Sequence, residues 1–202
     1  MFELFGSDSR VSLAGIFNKI RRSKRPSVEL AAANIPDDQR IYVIGDIHGR
    51  ADLLRQLLNR IKTERNSGPD NQLMVFLGDY IDRGLHSKTV LDQLTERKIG
   101  IDSVFLMGNH EEAMLSFMED PIGGADWLQF GGDATLLSYG VGLEPGVHTA
   151  ARLREARDAL VLALPPEHDK FLRRLKDSYS LGDYFFVHAA ISPGKDLENQ
   201  DP

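Results

Sequence analysis

Short apolar runs recur along the chain, and each stops at a Gly-rich polar turn whose side chains can bind a metal or move a proton. Ile41-Tyr42-Val43-Ile44 ends in Gly45-Asp46-Ile47-His48-Gly49, and Leu73-Met74-Val75-Phe76-Leu77 ends in Gly78-Asp79-Tyr80-Ile81-Asp82-Arg83-Gly84. Ser103 to Met107 runs into Gly108-Asn109-His110-Glu111, and Asp183 to Val187 delivers His188. Such β-branched and aromatic runs bounded by glycine predict buried strands. Between them lie helical patterns. Asp52 to Ile61 carries leucines at 53, 54, 57 and 58 and Ile61, a stripe expected to pack on the sheet. Ser87 is placed to cap a helix whose Val90, Leu91 and Leu94 face inward. Glu111 to Met118, Ala150 to Leu164 and Pro165 to Tyr179 complete the helices. In the last, Pro165-Pro166 begins the helix, Phe171, Leu172 and Leu175 form its stripe, and Gly182 ends it. Strand, turn and helix in alternation predict an α/β (α+β) fold with its chemistry at the carboxyl ends of the strands.

The remaining stretches are quieter. Residues 1–38 place Lys19-Ile20-Arg21-Arg22-Ser23-Lys24-Arg25-Pro26 after an apolar run. They read either as a poorly ordered basic arm or as a short amphipathic helix that meets an acidic partner or an anionic membrane surface. The domain proper is expected over 39–202. Asn66 to Asn71 is a loop, and the Gly-rich stretch from Pro121 to Gly146 reads as architecture on the substrate side, with Trp127 in the core. His86, His148 and His168 read as surface residues.

Composition narrows the chemistry. With 202 residues, 42% of them hydrophobic, one sizeable core is feasible. A net charge of −6 argues against a nucleic-acid surface, and no run is long enough for a bilayer span. The expectation is a soluble cytoplasmic protein. Cysteine is absent, which removes disulfides, thiolate nucleophiles and sulfur-ligated zinc. A metal must be held by His, Asp, Glu or Asn, a donor set that suits Mn, Fe or Zn.

The strand ends supply more donors than a single ion needs. Two divalent ions bridged by one carboxylate serve phosphate-ester hydrolysis. On this reading Asp46 and His48 hold one ion, Asp79 bridges, and Asn109 and His188 hold the other. Arg83 and Asn109 meet the phosphoryl oxygens, and the guanidinium can grip them bidentately. His110 acts as general acid, oriented by Asp82.

The blocks Gly45–Gly49, Gly78–Gly84 and Gly108–Glu111 resemble the three signature motifs of the phosphoprotein phosphatase (PPP) family of metallophosphoesterases. The similarity is close to the bacterial serine/threonine branch. His188-Ala189-Ala190 resembles the fourth motif, with Ala190 where the family usually has Gly. The resemblance spans roughly residues 40–195. It implies a β-sandwich flanked by helices, a dinuclear Mn- or Fe/Zn-type centre, a phosphorylated protein as substrate and direct hydrolysis of phosphomonoesters by a metal-activated water. The family also has a later histidine ligand and a second phosphate-binding arginine. Here no histidine follows His188 and Lys195 is the only basic residue after it. That predicts a domain truncated at its C-terminal end.

Three functions compete on these residues. Asp82-Arg83 and Glu111 favour a serine/threonine phosphatase. A symmetrical dinucleoside-tetraphosphate hydrolase shares the first motif but tends to depart from the other two. A non-catalytic remnant would keep a single ion on Asp46, His48 and Asp79.

Overall fold

The computed structural model describes residues 33–96, 100–143, 146 and 148–200. The first 32 residues, and most of the basic arm with them, lie outside the described residues. Strands β1 (Gln39–Ile44), β2 (Asn71–Phe76) and β3 (Asp102–Phe105) form a parallel sheet in that order. Its register sets Ile44 beside Phe76 and Phe76 beside Phe105. Parallel neighbours need a crossover, and helices α1 (Ala51–Glu64) and α2 (Ser87–Thr95) supply the two. Both crossovers return the chain in the same direction, so the turns after β1, β2 and β3 gather at one edge of the sheet.

Helix α3 (Asn109–Glu119) leaves the third turn. A 3-10 helix (Ala125–Phe130) and α4 (Gly132–Ser138), α5 (Ala150–Ala163) and α6 (Pro166–Leu172) follow. The chain then returns to the open side of β3, where Lys176 N donates to Phe105 O (3.0 Å) and Met107 N donates to Lys176 O (2.8 Å). An antiparallel hairpin of β4 (Ser178–Leu181) and β5 (Tyr184–Val187) follows, and a 3-10 turn (Leu197–Asn199) comes after it. Of the sandwich implied by the resemblance, the described residues thus contain a three-stranded parallel sheet and a two-stranded hairpin.

Met74 and Phe76 of β2 are buried at the centre of the core. Leu54 and Ile61 of α1, Val90, Leu91 and Leu94 of α2, Met114 and Phe117 of α3 and Leu160 of α5 join them. Each such side chain contributes roughly 2 kcal/mol by leaving water. Phe76 stacks on Phe105 (4.8 Å between centroids), and Phe171 meets Phe105 edge-on at 5.0 Å.

Several local expectations are corrected. Leu53 and Leu57 are not core; they are 48% and 38% exposed. A residue one position off the Leu54–Leu58–Ile61 stripe is turned about 100° away from the sheet. Val43 is 48% exposed because β1 lies at the sheet edge and its side chains alternate. Helix α6 stops at Leu172 rather than Tyr179, since the backbone at Lys176 is taken by β3. Gly182 therefore ends no helix; with φ 58° it makes the β4–β5 turn. Ser87 is the first residue of α2, makes no cap, and is wholly buried. His168 is not on the surface but fully buried.

Candidate active site

The three turns are built on each other. Ile47 N and His48 N both donate to Asp79 O (2.9 Å each), and Gly49 N donates to Tyr80 O (2.9 Å). Gly49 and Gly84 lie so close that a Cβ on either would strike the opposing backbone, so a side chain is excluded at both. His48, Asp79, Asp82 and Arg83 have φ of 44°, 55°, 70° and 64°, four of the five left-handed non-glycine residues among those described. Each such conformation costs on the order of 1–3 kcal/mol and persists only where the surroundings enforce it. Asp46 and His48 thus sit on a turn. Their convergence, with His48 Nε2 3.8 Å from Asp46 Oδ2, comes from the left-handed kink.

Glu111 enforces this geometry. Its buried carboxylate accepts from the backbone N–H groups of Asp79 (2.8 Å), Tyr80 (2.8 Å), Ile81 (3.2 Å) and Gly108 (3.1 Å). Burial pushes its pKa up to about 7 against the pull of those hydrogen bonds.

Asp79 is the hub, 4% exposed. Its Oδ2 lies 3.5 Å from His48 Nε2 and 3.9 Å from His110 Nε2, and its Oδ1 lies 3.3 Å from His188 Nε2. His48 Nδ1 faces Ile81 O and His188 Nδ1 faces Leu77 O, each at 2.9 Å. A carbonyl can only accept, so both rings carry their proton on Nδ1 and turn a lone pair of Nε2 inward. His188 Nε2 is also 3.0 Å from Asn109 Oδ1. Lone pairs of two imidazoles, an amide oxygen and two carboxylates therefore converge, and the donors that reach them are the Arg83 guanidinium at His48 Nε2 and the His110 backbone N–H at Asp79 Oδ1. That set fits a divalent cation, with the carbonyls orienting the rings as metal-binding histidines require. Ligand atoms of His48, Asp79 and His110, and of Asp46, Asp79 and His188, lie within 4.8 Å of one another. Asp79 belongs to both groups. Asp46 lies in the group of His188 and also 3.8 Å from His48, so both histidines are within reach of it.

Arg83 bridges two of these rings, with one guanidinium nitrogen 2.8 Å from His48 Nε2 and the other 3.0 Å from His110 Nε2. Behind His110, Asp82 Oδ2 accepts from Nδ1 at 2.7 Å. Asp82 is fully buried and accepts from Trp127 Nε1 (2.8 Å) and the Thr135 hydroxyl (2.6 Å). Its own N–H donates to Thr135 Oγ1 (2.9 Å) and Ser87 Oγ (3.1 Å). Burial raises the Asp82 pKa, and the hydrogen bonds from Thr135, His110 and Trp127 oppose that rise.

All eight residues singled out in the sequence, Asp46, His48, Asp79, Asp82, Arg83, Asn109, His110 and His188, meet at this one edge. Sequence reasoning missed the support: Glu111 as backbone clamp and Ser87, Trp127 and Thr135 as partners of Asp82. One signal was available, because a buried Trp needs an acceptor for its N–H.

A mixed α/β fold with polar, metal-competent turns at the strand ends defines a metallophosphoesterase-type domain. The chain belongs to the calcineurin-like phosphoesterases, whose family model matches residues 39–200. It is 34% identical over 108 residues to serine/threonine-protein phosphatase 2 of Escherichia coli, covering 54% of this chain and 45% of that protein. It is 32% identical over 80 residues to the asymmetrical bis(5'-nucleosyl)-tetraphosphatase PrpE of Halalkalibacterium halodurans, covering 38% and 32%. Among solved structures, a putative diadenosine tetraphosphatase shares the fold with a TM-score of 0.52 at 18% identity, over 84% of this chain and 58% of that one. The chain spans about a third to a half of the length of these curated relatives.

Proposed function

We propose that the protein is a metal-dependent phosphatase that hydrolyses phosphoserine and phosphothreonine monoesters in proteins. The observation that supports this best is Asp79, a buried carboxylate with one oxygen facing His188 and the other facing His48 and His110. Asp46, His48, Asp79, Asn109 and His188 would hold two divalent ions, with Asp79 shared. Bound there, the ions would supply Lewis acidity to the phosphoryl group and a water acidified to near neutral pH.

The chain's own residues do the rest. Arg83 offers a planar pair of N–H donors to two phosphoryl oxygens and neutralises their charge. Asn109 presents its amide to the same group. Asp82 holds the Nδ1 proton of His110 and so keeps Nε2 facing the site. A proton on that Nε2 passes to the leaving alkoxide oxygen as the P–O bond breaks. The left-handed turns hold these groups in place before substrate arrives, which is where pre-organised electrostatics gains its effect.

The test is Mn-dependent phosphate release from a phosphothreonine peptide, run beside Asp79→Asn. Turnover by the wild-type chain and its loss in the variant is the expected result. Folded, Mn-loaded protein that releases no phosphate from either phosphothreonine or phosphoserine peptides refutes the proposal. The similarity to PrpE favours a second reading, dinucleoside-tetraphosphate hydrolysis. Diadenosine tetraphosphate cleaved far faster than phosphopeptide would establish it instead.

A further inference from the structure

A cavity of about 310 Å³ opens between α1 and α2, and none of the eight site residues lines it. Met74 of β2, wholly buried, closes its bottom. Leu58 of α1 and Ile101 line it as half-buried side chains that pack against the core. Ile101 stands just before β3, so this lining lies toward the end of the sheet opposite the catalytic turns. The rim is polar. Arg55 and Lys62 of α1 are both exposed, and a spacing of seven residues puts them on one side of the helix about 10 Å apart. Neither makes a hydrogen bond or ion pair among the described residues. Glu96 of α2 is the one acidic residue that lines the cavity. Two cations against one carboxylate leave a positive mouth on a chain whose net charge is −6. Gln93 of α2, also on the rim, donates to Ala51 O of α1 at 3.3 Å and ties the two helices across the gap.

We propose that this cavity is a binding site for a small amphipathic monocarboxylate, its aliphatic or aryl body on Leu58, Met74 and Ile101 and its carboxylate at the Arg55–Lys62 rim. Size sets the first limit. A volume near the lower end of small-molecule sites takes a ligand of roughly a dozen non-hydrogen atoms. The lining sets the second. A purely apolar ligand would leave the two cations without a partner, and a small hydrophilic anion would leave the apolar bottom wet. An amphipathic anion satisfies both, because the stems of Arg55 and Lys62 extend the apolar wall while their heads stay at the mouth. The guanidinium can grip a carboxylate through two parallel N–H donors. Glu96 sets the third limit, since it repels the second charge of a dianion. A phosphate monoester is therefore disfavoured, and the site is not a copy of the phosphoryl site at the strand ends. No bond is made or broken here, and nothing in the assignment depends on the phosphatase reading.

The test is a titration of the isotope-labelled chain with phenylbutyrate, followed through its backbone amide shifts. Saturable shifts are expected at Leu58, Lys62 and Ile101, with none at Asp79 or His110. Acetate, which offers the carboxylate alone, should move none of them. Phenylbutanol, which offers the body alone, should bind about fivefold more weakly than phenylbutyrate. Arg55→Gln combined with Lys62→Gln should raise the phenylbutyrate Kd about fivefold and abolish its advantage over the alcohol. Both side chains are exposed, so the variant is expected to fold, and an unchanged spectrum away from the cavity verifies it. A wild type without saturable shifts, shifts confined to the catalytic edge, or a Kd that the double variant leaves unchanged each overturns the proposal. No turnover is read, so the two readings fail separately. A chain that binds phenylbutyrate in this cavity but releases no phosphate from phosphopeptides keeps the site and loses the phosphatase reading.

Discussion

At the residue scale, the group that governs His110 is wholly buried. Asp82 is enclosed by Trp127, Thr135, Ser87 and His110, and only the last of these faces substrate. Thr135 holds it at two points, donating to Oδ1 and accepting from its backbone N–H. Replacing Thr135 by Val removes both contacts and leaves volume nearly unchanged. The carboxylate then loses a charge-assisted hydrogen bond, costing about 1.5–3 kcal/mol of stability in urea unfolding. His110 also loses its fixed orientation, so kcat on a phosphothreonine peptide is expected to drop roughly 10- to 100-fold, in the range seen for orienting partners. KM should move less than kcat, because Thr135 touches no substrate. Thr135→Ser keeps the hydroxyl and should restore most of kcat. Failure of that rescue would assign Thr135 to packing alone.

At the element scale, three helices meet at His168. From α6 its Nδ1 accepts from the Tyr139 hydroxyl just beyond α4 (2.9 Å), and its Nε2 lies 3.2 Å from Asp92 Oδ1 on α2. Lys88 of α2 ion-pairs with the same Asp92 at 3.1 Å, and Glu167 neighbours His168 on α6. Burial lowers the His168 pKa, Asp92 opposes that and Lys88 reinforces it. A histidine depressed in the folded state gives stability that is full above its unfolded pKa of about 6.5 and is lost as pH falls through the lower folded value. Urea unfolding at pH 7.5 and 5.5 should therefore show a loss in the wild type, bounded at about 1.4 kcal/mol per pH unit below 6.5. His168→Gln should show a smaller loss. Equal pH dependence in the two proteins would remove His168 from the account. The same helices show what the sequence made legible. Periodicity located α1, α2, α3 and α5, because each has a covered apolar stripe and flanking turns. It overran α6, since the Phe171–Leu172–Leu175 stripe continues past the point where Lys176 joins β3, and sheet pairing between distant residues leaves no local mark. It also placed His168 in water, because a polar residue near a helix start gives no sign of the tyrosine and aspartate that fold over it. The site residues fared better. Motif spacing put all eight at strand ends, whereas the left-handed φ values and the Glu111 clamp arise only when three turns stack.

At the scale of the whole molecule, a metal held at this site would couple its binding to folding. The described fold collects acceptor lone pairs around Asp79 from four segments far apart in sequence, ending β1, β2, β3 and β5. An unfolded chain presents no such cluster, so a divalent ion bound at it would stabilise the folded state by mass action. At a Mn concentration 100 times the dissociation constant the gain is about 2.7 kcal/mol. For a domain of this size that corresponds to a rise in Tm of about 5–10 °C. Removing metal with a chelator should reverse the rise fully, because no disulfide or other covalent change accompanies it. Stoichiometry separates the candidate functions. The dinuclear reading expects two Mn per chain by calorimetry, with Asp46 and His48 serving one and Asn109 and His188 the other. A remnant that holds an ion on Asp46, His48 and Asp79 alone would bind a single one. Asp79→Asn is the informative variant, since it removes the charge shared by both groups while keeping its shape. Its melting temperature without metal should stay within a few degrees of the wild type, and its response to Mn should vanish for both ions together. If one ion still binds the variant at wild-type affinity, Asp79 is not shared, and the two groups that meet on it are separate sites.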